Sequence, residues 1–313
     1  MLRLAVLGVF WCVGCAPTLP QLVEHAEHTV RPDGPLIVIG DTQRTHWAER
    51  VFMGREQNQT ESSALIQQIA HDETPAMVIH LGDLVTHGAT AAEWIYFDHL
   101  VSPLTARGIP IVPVLGNHDY WGDDDAALSH AIARFPRLRD GTWYRERHRS
   151  LGLVWLDSNR PVDAQLDWLR ATLADFEENP AVRGILLFVH HPPYTHGEQR
   201  RGDDWVASEV VGLLSDKTLA LFAGHVHGYE RFERGGVQFV TSGGAGGPRV
   251  RYNTGRDLLP PAAFRGTERK RAFHYLRLTL GDAGVSVDVR CLKDTCDGGV
   301  LERFELPFQV PGT

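Results

Sequence analysis

The chain has 313 residues, 43% of them apolar and 22% charged, an ordinary globular balance that suits one large domain or two small ones. A formal net charge of -8, with no basic stretch carrying interleaved aromatics, removes the electrostatic footprint of a nucleic-acid partner. The 16 histidines lie mostly beside Gly, Asp or Pro at the ends of apolar runs, a placement that suits metal ligation better than core filling.

Residues 1–15 read as a targeting segment: Arg3 is a minimal basic region, and Leu4 to Gly14 is an apolar run too short to span a bilayer. Its end, Cys12-Val13-Gly14-Cys15-Ala16, resembles a bacterial lipoprotein box in which Cys15 would be acylated, although such boxes usually carry Leu where this chain has Cys12. An ordinary signal peptide cut near Ala16 is the alternative. Residues 16–35, rich in Pro, His and Glu, then serve as a tether, and the expectation is an exported chain in the bacterial envelope, held to the membrane by lipid.

From Leu36 short β-type runs alternate with amphipathic helix-length stretches. A strand over Leu36 to Gly40 delivers Asp41-Thr42-Gln43. A helix over Glu61 to His71 and a strand over Ala76 to Gly82 follow, the strand delivering Asp83. Ala91 to Arg107 is the next helix, and Ile111 to Leu115 the strand before Gly116-Asn117-His118-Asp119. This β-α-β-α-β series predicts a parallel sheet whose strand ends share one rim. The pattern loosens over Asp123 to Arg149, which reads as a lid-like insert. A strand over Leu151 to Leu156 then leads to Asp157, a helix covers Val162 to Phe176, and a strand over Ile185 to Val189 delivers His190-His191-Pro192-Pro193. After a helical stretch over Trp205 to Leu214, the strand Thr218 to Ala223 delivers Gly224-His225-Val226-His227-Gly228. Further strands cover Val237 to Thr241, Tyr275 to Leu280 and Val285 to Arg290, with Gly281-Asp282-Ala283-Gly284 as a hairpin turn. Residues 36–313 show no internal repeat and no linker long enough to force a boundary. Cys291 and Cys296 most simply close a hairpin as a disulfide in an oxidising compartment; a two-cysteine zinc site lacks a second ligand pair nearby.

Five strand ends thus offer Asp41 with Gln43, Asp83, Asn117, His190, and His225 with His227. Carboxylate, amide and imidazole together are the donor set that two neighbouring cations of borderline hardness require, with one carboxylate shared between them. For any one of these motifs, a capped strand end or a surface histidine pair is the plain alternative; their joint occurrence after apolar runs weighs against it.

The series Gly-Asp-X-Gln, Gly-Asp-Leu-Val, Gly-Asn-His-Asp, Val-His-His-Pro-Pro and Gly-His-Val-His resembles the calcineurin-like metallophosphoesterase superfamily across residues 36 to 290. The resemblance implies an α/β fold, a four-layer α-β-β-α sandwich of two mixed sheets flanked by helices. It also implies two divalent or trivalent ions (Mn, Fe or Zn). Asp41, Gln43, Asp83 and His227 would hold the first, and Asp83, Asn117, His190 and His225 the second. Cations about 3.5 to 4 Å apart can share a bridging hydroxide for in-line attack on a phosphate ester. His118 would act as general acid or transition-state stabiliser, with a purely orienting role as the alternative.

Two departures bear on the substrate. Many relatives carry His where this chain has Gln43, a weaker neutral ligand. At Thr86, three residues past Asp83, purple acid phosphatases carry the tyrosine that colours their iron, and phosphoprotein phosphatases the aspartate that orients the catalytic histidine. The chain therefore reads as an extracytoplasmic, purple-acid-phosphatase-like branch without the iron-binding tyrosine. His191 and His196 are weaker candidates for contacting substrate oxygens. The loop Ser242 to Pro248 reads as a flexible rim, and Arg249 and Arg251 as a solvated pair beyond it. The expected partner is a phosphorylated small molecule or other phosphoester. A phosphodiesterase is the alternative to a monoesterase, and a metal-stabilised envelope binding protein without turnover is the alternative from another class.

Overall fold

The computed structural model describes residues 33–197, 203–252, 265–293 and 295–309. The targeting segment, Cys15 and the tether up to residue 32 lie outside the described residues. Among the described residues no helix is long and apolar enough to cross a membrane.

The chain begins with β1 (Leu36–Ile39), α1 (Trp47–Met53), α2 (Gln59–Asp72), β2 (Met77–His80), α3 (Ala91–Thr105) and β3 (Ile111–Pro113). It continues through α4 (Asp124–Arg134), β4 (Tyr144–His148), β5 (Leu151–Trp155), α5 (Asp163–Glu178), β6 (Gly184–Val189) and β7 (Thr218–Ala223). The remaining strands are β8 (Tyr229–Arg234), β9 (Val237–Ser242), β10 (Arg265–Lys270), β11 (His274–Leu280), β12 (Gly284–Cys291) and β13 (Val300–Pro307). They form a six-stranded sheet in the order β13-β12-β11-β1-β2-β3 and a seven-stranded sheet in the order β10-β8-β9-β7-β6-β5-β4. Both are mixed. β1, β2 and β3 run parallel, as do β5, β6, β7 and β9, with antiparallel strands outside them.

The central strands are apolar on both faces because both faces are covered. Along β1, Leu36 and Val38 join the cluster between the sheets, which also contains Ile79, Trp155, Phe188 and Phe222. The alternate residues Ile37 and Ile39 pack with Leu65, Ile66, Trp94 and Phe97 of α2 and α3. In the second sheet the same alternation sends Val154, Leu187 and Leu221 against Leu166, Leu169 and Leu173 of α5. Two sheets face to face with helices outside make the four-layer α-β-β-α sandwich that the resemblance implied.

The sequence pattern misses several elements. Asp123 to Arg149, read as an insert, contains α4, whose N-terminus is capped by the Asp123 carboxylate accepting from the Ala126 N–H at 2.9 Å, and the edge strand β4. β8 and β13, near the sheet edges, mix charged residues in among apolar ones without a period of two, and α1 buries none of its residues. The stretch after Trp205 is helical but built from π and 3-10 turns. Cys291 and Cys296 are joined in a disulfide between β12 and β13, Cα to Cα 6.3 Å.

His274, the first residue of β11, is fully buried; its Nδ1–H donates to the Ala272 carbonyl at 2.9 Å and its Nε2 accepts from Ser242 Oγ at 3.0 Å. Burial pushes this imidazole down from 6.5 to about 4, against the Ala272 carbonyl. Between those values the unfolded chain binds a proton that the native state refuses, so native stability falls as pH drops from 6.5 to about 4. The contribution is at most about 3 kcal/mol. Urea titrations of the wild type and His274→Gln from pH 7 to pH 4 should show a shallower decline in the variant, whatever its stability at pH 7; parallel curves would contradict the assignment.

Candidate metal centre

The ends of β1, β2 and β3 in one sheet and of β6 and β7 in the other meet at one rim. Asp41, Asp83 and His225, just past β1, β2 and β7, have left-handed backbones with φ of 62°, 54° and 66°. Non-glycine residues adopt this region at a cost that surrounding contacts must offset. Here main-chain hydrogen bonds supply those contacts. The Asp41 N–H donates to the Gly82 carbonyl at 3.0 Å and the Gln43 N–H to the Asp83 carbonyl at 3.1 Å, pinning the first two loops together. The His225 N–H donates to the Asp41 carboxylate at 3.0 Å, joining the sheets. Gly116 must be glycine: a Cβ there would lie 2.2 Å from Asp83 Oδ1 and 2.8 Å from His190 Cε1.

Asp83 lies between two donor groups. Its Oδ2 accepts from Gln43 Nε2 at 3.0 Å, and the same Gln43 nitrogen is 3.1 Å from His227 Nε2, which in turn is 3.4 Å from Asp41 Oδ1. On the other side Asp83 Oδ1 is 3.4 Å from His190 Nε2, and Asn117 Oδ1 lies 3.2 Å from His190 Nε2 and 3.1 Å from His225 Nδ1. Donor atoms of Asp41, Asp83 and His190 all fall within 4.8 Å of one another, as do those of His190, His191 and His225.

The protonation pattern of these rings follows from their outer partners. A carbonyl can only accept, so His190 Nδ1–H donates to Leu81 O at 2.8 Å and His227 Nδ1–H to Pro248 O at 2.8 Å. Each ring therefore turns its Nε2 electron pair inward. Asn117 Oδ1 also offers only electron pairs, so the group requires a positive charge at its centre. Burial disfavours the charged form of His190, but Asp83 and Asp41 outweigh it and raise this imidazole to about 9. Burial pushes the Asp83 carboxyl up, and His190, His118 and His225 overcome it and hold Asp83 well below the ordinary carboxylate range. The pull that raises His190 is the one a cation at Nε2 would feel, and a bound cation would take the place of any proton there.

On the other side the Gln43 amide nitrogen supplies the positive end of a dipole to Asp83 and His227, and its Oε1 is buried without a hydrogen-bond partner. Half a turn of that amide would present Oε1 to a cation in its place. The donor set fits two neighbouring metal ions: mixed oxygen and nitrogen, mostly buried, with one carboxylate reaching both groups.

Residues without an assigned role in the sequence hold the centre in place. The Asp119 carboxylate accepts from the Gly116 N–H at 2.8 Å and the Val85 N–H at 3.1 Å, clamping two of the loops; burial and the Asp83 charge push its carboxyl up to about 8. His80 accepts the Gly82 N–H at 3.2 Å and contacts Thr42 Oγ1 at 3.0 Å, and burial drives it down to about 3, so it is a neutral strut. Asn159 donates to the Leu115 carbonyl at 2.8 Å, and Asp157 accepts from Tyr120 OH at 2.5 Å. Asp157 was legible as a strand-end polar residue, but nothing local marked it as a support, and Asn159 was not singled out.

His118 lies at the rim. Its backbone N–H donates to Asp83 Oδ1 at 2.9 Å, and its Nδ1–H to the backbone carbonyl of Thr86 at 2.8 Å. Position 86 therefore supplies an orienting partner through its main chain. His191 stands beside the centre, ring centroids 4.4 Å from His225 and 4.8 Å from His190, with Nδ1 2.8 Å from Ser158 Oγ. His196 is buried instead against Phe232 and Glu230, its N–H donating to Glu230 Oε1 at 2.8 Å. The loop 242–248 is not a flexible rim. It is buried throughout, the Ala245 and Gly247 N–H groups donate to the Gly40 and Asp41 carbonyls at 3.1 and 2.7 Å, and Pro248 holds His227. Arg249 is not solvated either: Glu56 engages it at 2.7 and 2.9 Å. Arg251 is exposed.

A family model described as calcineurin-like phosphoesterase matches residues 34–229. A cAMP/cGMP dual specificity phosphodiesterase from Mycobacterium tuberculosis is 30% identical over 229 residues, 64% of this chain and 67% of the relative. Among solved structures, a purple acid phosphatase from yellow lupin superposes with a TM-score of 0.69 at 17% identity, over 88% of this chain and 53% of the lupin chain. A dimetal phosphatase from Danio rerio superposes with a TM-score of 0.62 at 17% identity, over 89% of this chain and the whole of its own. The two structures share the fold; the chain spans about half the lupin enzyme's length.

Gly116→Ala tests the centre's geometry directly. The added Cβ must displace Asp83 or His190, so the rise in Tm that Mn²⁺ or Zn²⁺ gives the wild type should be largely abolished in the variant. An equal metal-induced rise in both proteins would contradict this reading.

Proposed function

The chain belongs to the calcineurin-like phosphoesterase family and is a hydrolase of phosphoric ester bonds, and from that premise we propose that it works through a dinuclear metal centre in which Asp83 bridges. The observation that carries the proposal is the Asp83 carboxylate, with one oxygen on each donor group. Asp41, Gln43, Asp83 and His227 would hold one ion, and Asp83, Asn117, His190 and His225 the other. Two such ions would lower the pKa of a shared water and neutralise charge on the phosphoryl group.

The chain's own residues supply the rest. Hydrolysis forms a bond from the water oxygen to phosphorus and breaks the bond to the leaving oxygen, which takes the electron pair and needs a proton. With Nδ1–H committed to the Thr86 carbonyl, His118 Nε2 is the atom that can deliver it. After transfer the ring keeps its proton on Nδ1, where the carbonyl requires one. His191, fixed by its N–H to Ser158 Oγ at 3.1 Å, is placed to hold a non-bridging oxygen beside His225. The relative named as a cAMP/cGMP phosphodiesterase supports a phosphodiester as the substrate over a monoester. The Cys15 box and the oxidised pair Cys291–Cys296 support an enzyme of the bacterial envelope tethered by lipid.

Assays with bis(4-nitrophenyl) phosphate and 4-nitrophenyl phosphate under Mn²⁺, Zn²⁺ and Fe²⁺ test the reaction. Turnover should be metal-dependent, greater on the diester and lost in Asn117→Ala. His118→Ala should lower kcat by about 10²- to 10⁴-fold with metal binding kept, the span of general acid catalysis. Normal turnover in His118→Ala would remove the acid role, and turnover without metal would remove the dinuclear one. Separately, Cys15→Ser should abolish labelling by a fatty-acid analogue in bacteria; retained labelling would end the lipid tether.

A further inference from the structure

A line of aromatic rings leaves the centre on the side of His118. The Trp121 indole meets the His118 ring edge-on at 4.7 Å and is stacked with His87 at 6.0 Å and 19°. His46 follows at 6.3 Å from Trp121, Trp47 at 5.6 Å from His46, and Phe52 at 6.2 Å from Trp47. These rings are not core. Trp121 is 50% exposed and Trp47 64% exposed, on a helix that buries nothing. His46, Trp47 and His87 of this line also border a cleft of about 400 Å³ whose remaining wall is polar and includes Arg44, Thr86 and Glu93; Trp121 stands outside its lining.

The cleft wall is tied to the centre through the chain at two points. Arg44 follows Gln43 in the chain, and Thr86 carries the carbonyl that orients His118. Arg44 is ion-paired with Glu93 and lies over the Tyr96 ring at 4.5 Å, so its charge is compensated. The cleft wall is mostly polar, and the flat apolar surface on this side of the centre is the half-exposed Trp121 ring next to His118. Such surface retains a flat ring by stacking, in which the face of the ligand meets the face of an indole.

We propose that the half-exposed Trp121 ring beside His118 is the subsite for the leaving alcohol, and that it selects esters whose leaving alcohol carries a flat aromatic ring stacked on Trp121. The inference rests on the function proposed above, because it takes His118 as the donor to the leaving oxygen. Whatever that oxygen carries must then lie on the His118 side of phosphorus, against Trp121. A nucleoside and a benzyl-type alcohol both have the required ring, and Trp121 accepts either by the same contact.

Three methyl phosphodiesters separate the possibilities: methyl benzyl phosphate, the methyl ester of adenosine 5′-phosphate, and methyl glycerol phosphate. Each can lose methanol or the other alcohol, and none has an activated leaving group. The wild type should release benzyl alcohol and adenosine, leaving methyl phosphate, and should prefer these two esters over the glycerol ester. In Trp121→Ala the ratio of kcat/KM for the ring-bearing to the glycerol ester should fall about tenfold or more, the scale of one lost aromatic stacking contact, with more methanol released from the ring-bearing esters. Trp121→Phe should recover much of the ratio. Preferential release of methanol by the wild type, or equal loss on all three esters in Trp121→Ala, would overturn the subsite, the latter leaving Trp121 as a support for His118 alone. A preference for only one ring-bearing ester, lost in Trp121→Ala, keeps the subsite and identifies the ring. If no ester is hydrolysed with any metal, the proposed function fails, and calorimetry with benzyl phosphate and with adenosine 5′-phosphate decides the subsite. Binding weakened about tenfold in Trp121→Ala retains it, and unchanged binding ends it.

Discussion

The structure depends on gathering electron-pair donors out of water. Asp41, Asp83 and His190 are buried to within 1% of full exclusion, and their inward atoms have no intrinsic reason to approach one another. The left-handed turns at Asp41, Asp83 and His225 add backbone strain of about 1–3 kcal/mol each. Both costs are offset by the same means. Main-chain N–H groups of His118 and His225 point at the Asp83 and Asp41 carboxylates, and main-chain carbonyls fix the histidine tautomers from behind. The Asp83 and Asp41 charges that raise the His190 imidazole to about 9 are also what would draw a cation to the group.

The sandwich explains why the donors come from both sheets. Parallel strands leave their carboxyl ends at one rim, and stacking two such sheets brings two rims together. A single sheet could offer Asp41, Asp83 and Asn117 but no imidazole of the second group. The contact from the His225 N–H to Asp41 therefore acts as a stitch between layers as well as a local turn bond. The buried loop 242–248 completes the enclosure by returning to the Gly40 and Asp41 carbonyls.

The legible part of the fold and site is the part governed by short-range pattern. Buried parallel strands are continuous apolar runs, and the polar residues that follow them at Asp41, Asp83, Asn117, His190 and His225 stand in plain view. The supports were not legible, because their partners are far away in the chain: Asp119 and Val85, Asn159 and Leu115, and His80 with Thr42 become visible only once loops meet. Strand β8, next to the edge of its sheet, and edge strand β13 escaped because charged residues break up their apolar pattern on both faces. The loop 242–248 was misread for a related reason: many glycines suggest freedom, yet at Gly247 the absent Cβ makes room for the His227 ring, which a Cβ would approach to 2.8 Å. Exposed α1 buries nothing and so leaves no amphipathic trace.

The hydrogen bond from His118 to the carbonyl of Thr86 has a consequence for how function is mapped onto sequence. An orienting carboxylate can be deleted by one codon change, and families diverge at such positions. A peptide carbonyl belongs to no codon: every residue type at position 86 brings the same oxygen, so a substitution scan of that side chain does not remove the contact. The imidazole's aim is written in the path of the backbone past Asp83, and only chemistry that edits the chain itself, such as replacing that peptide link, would erase it.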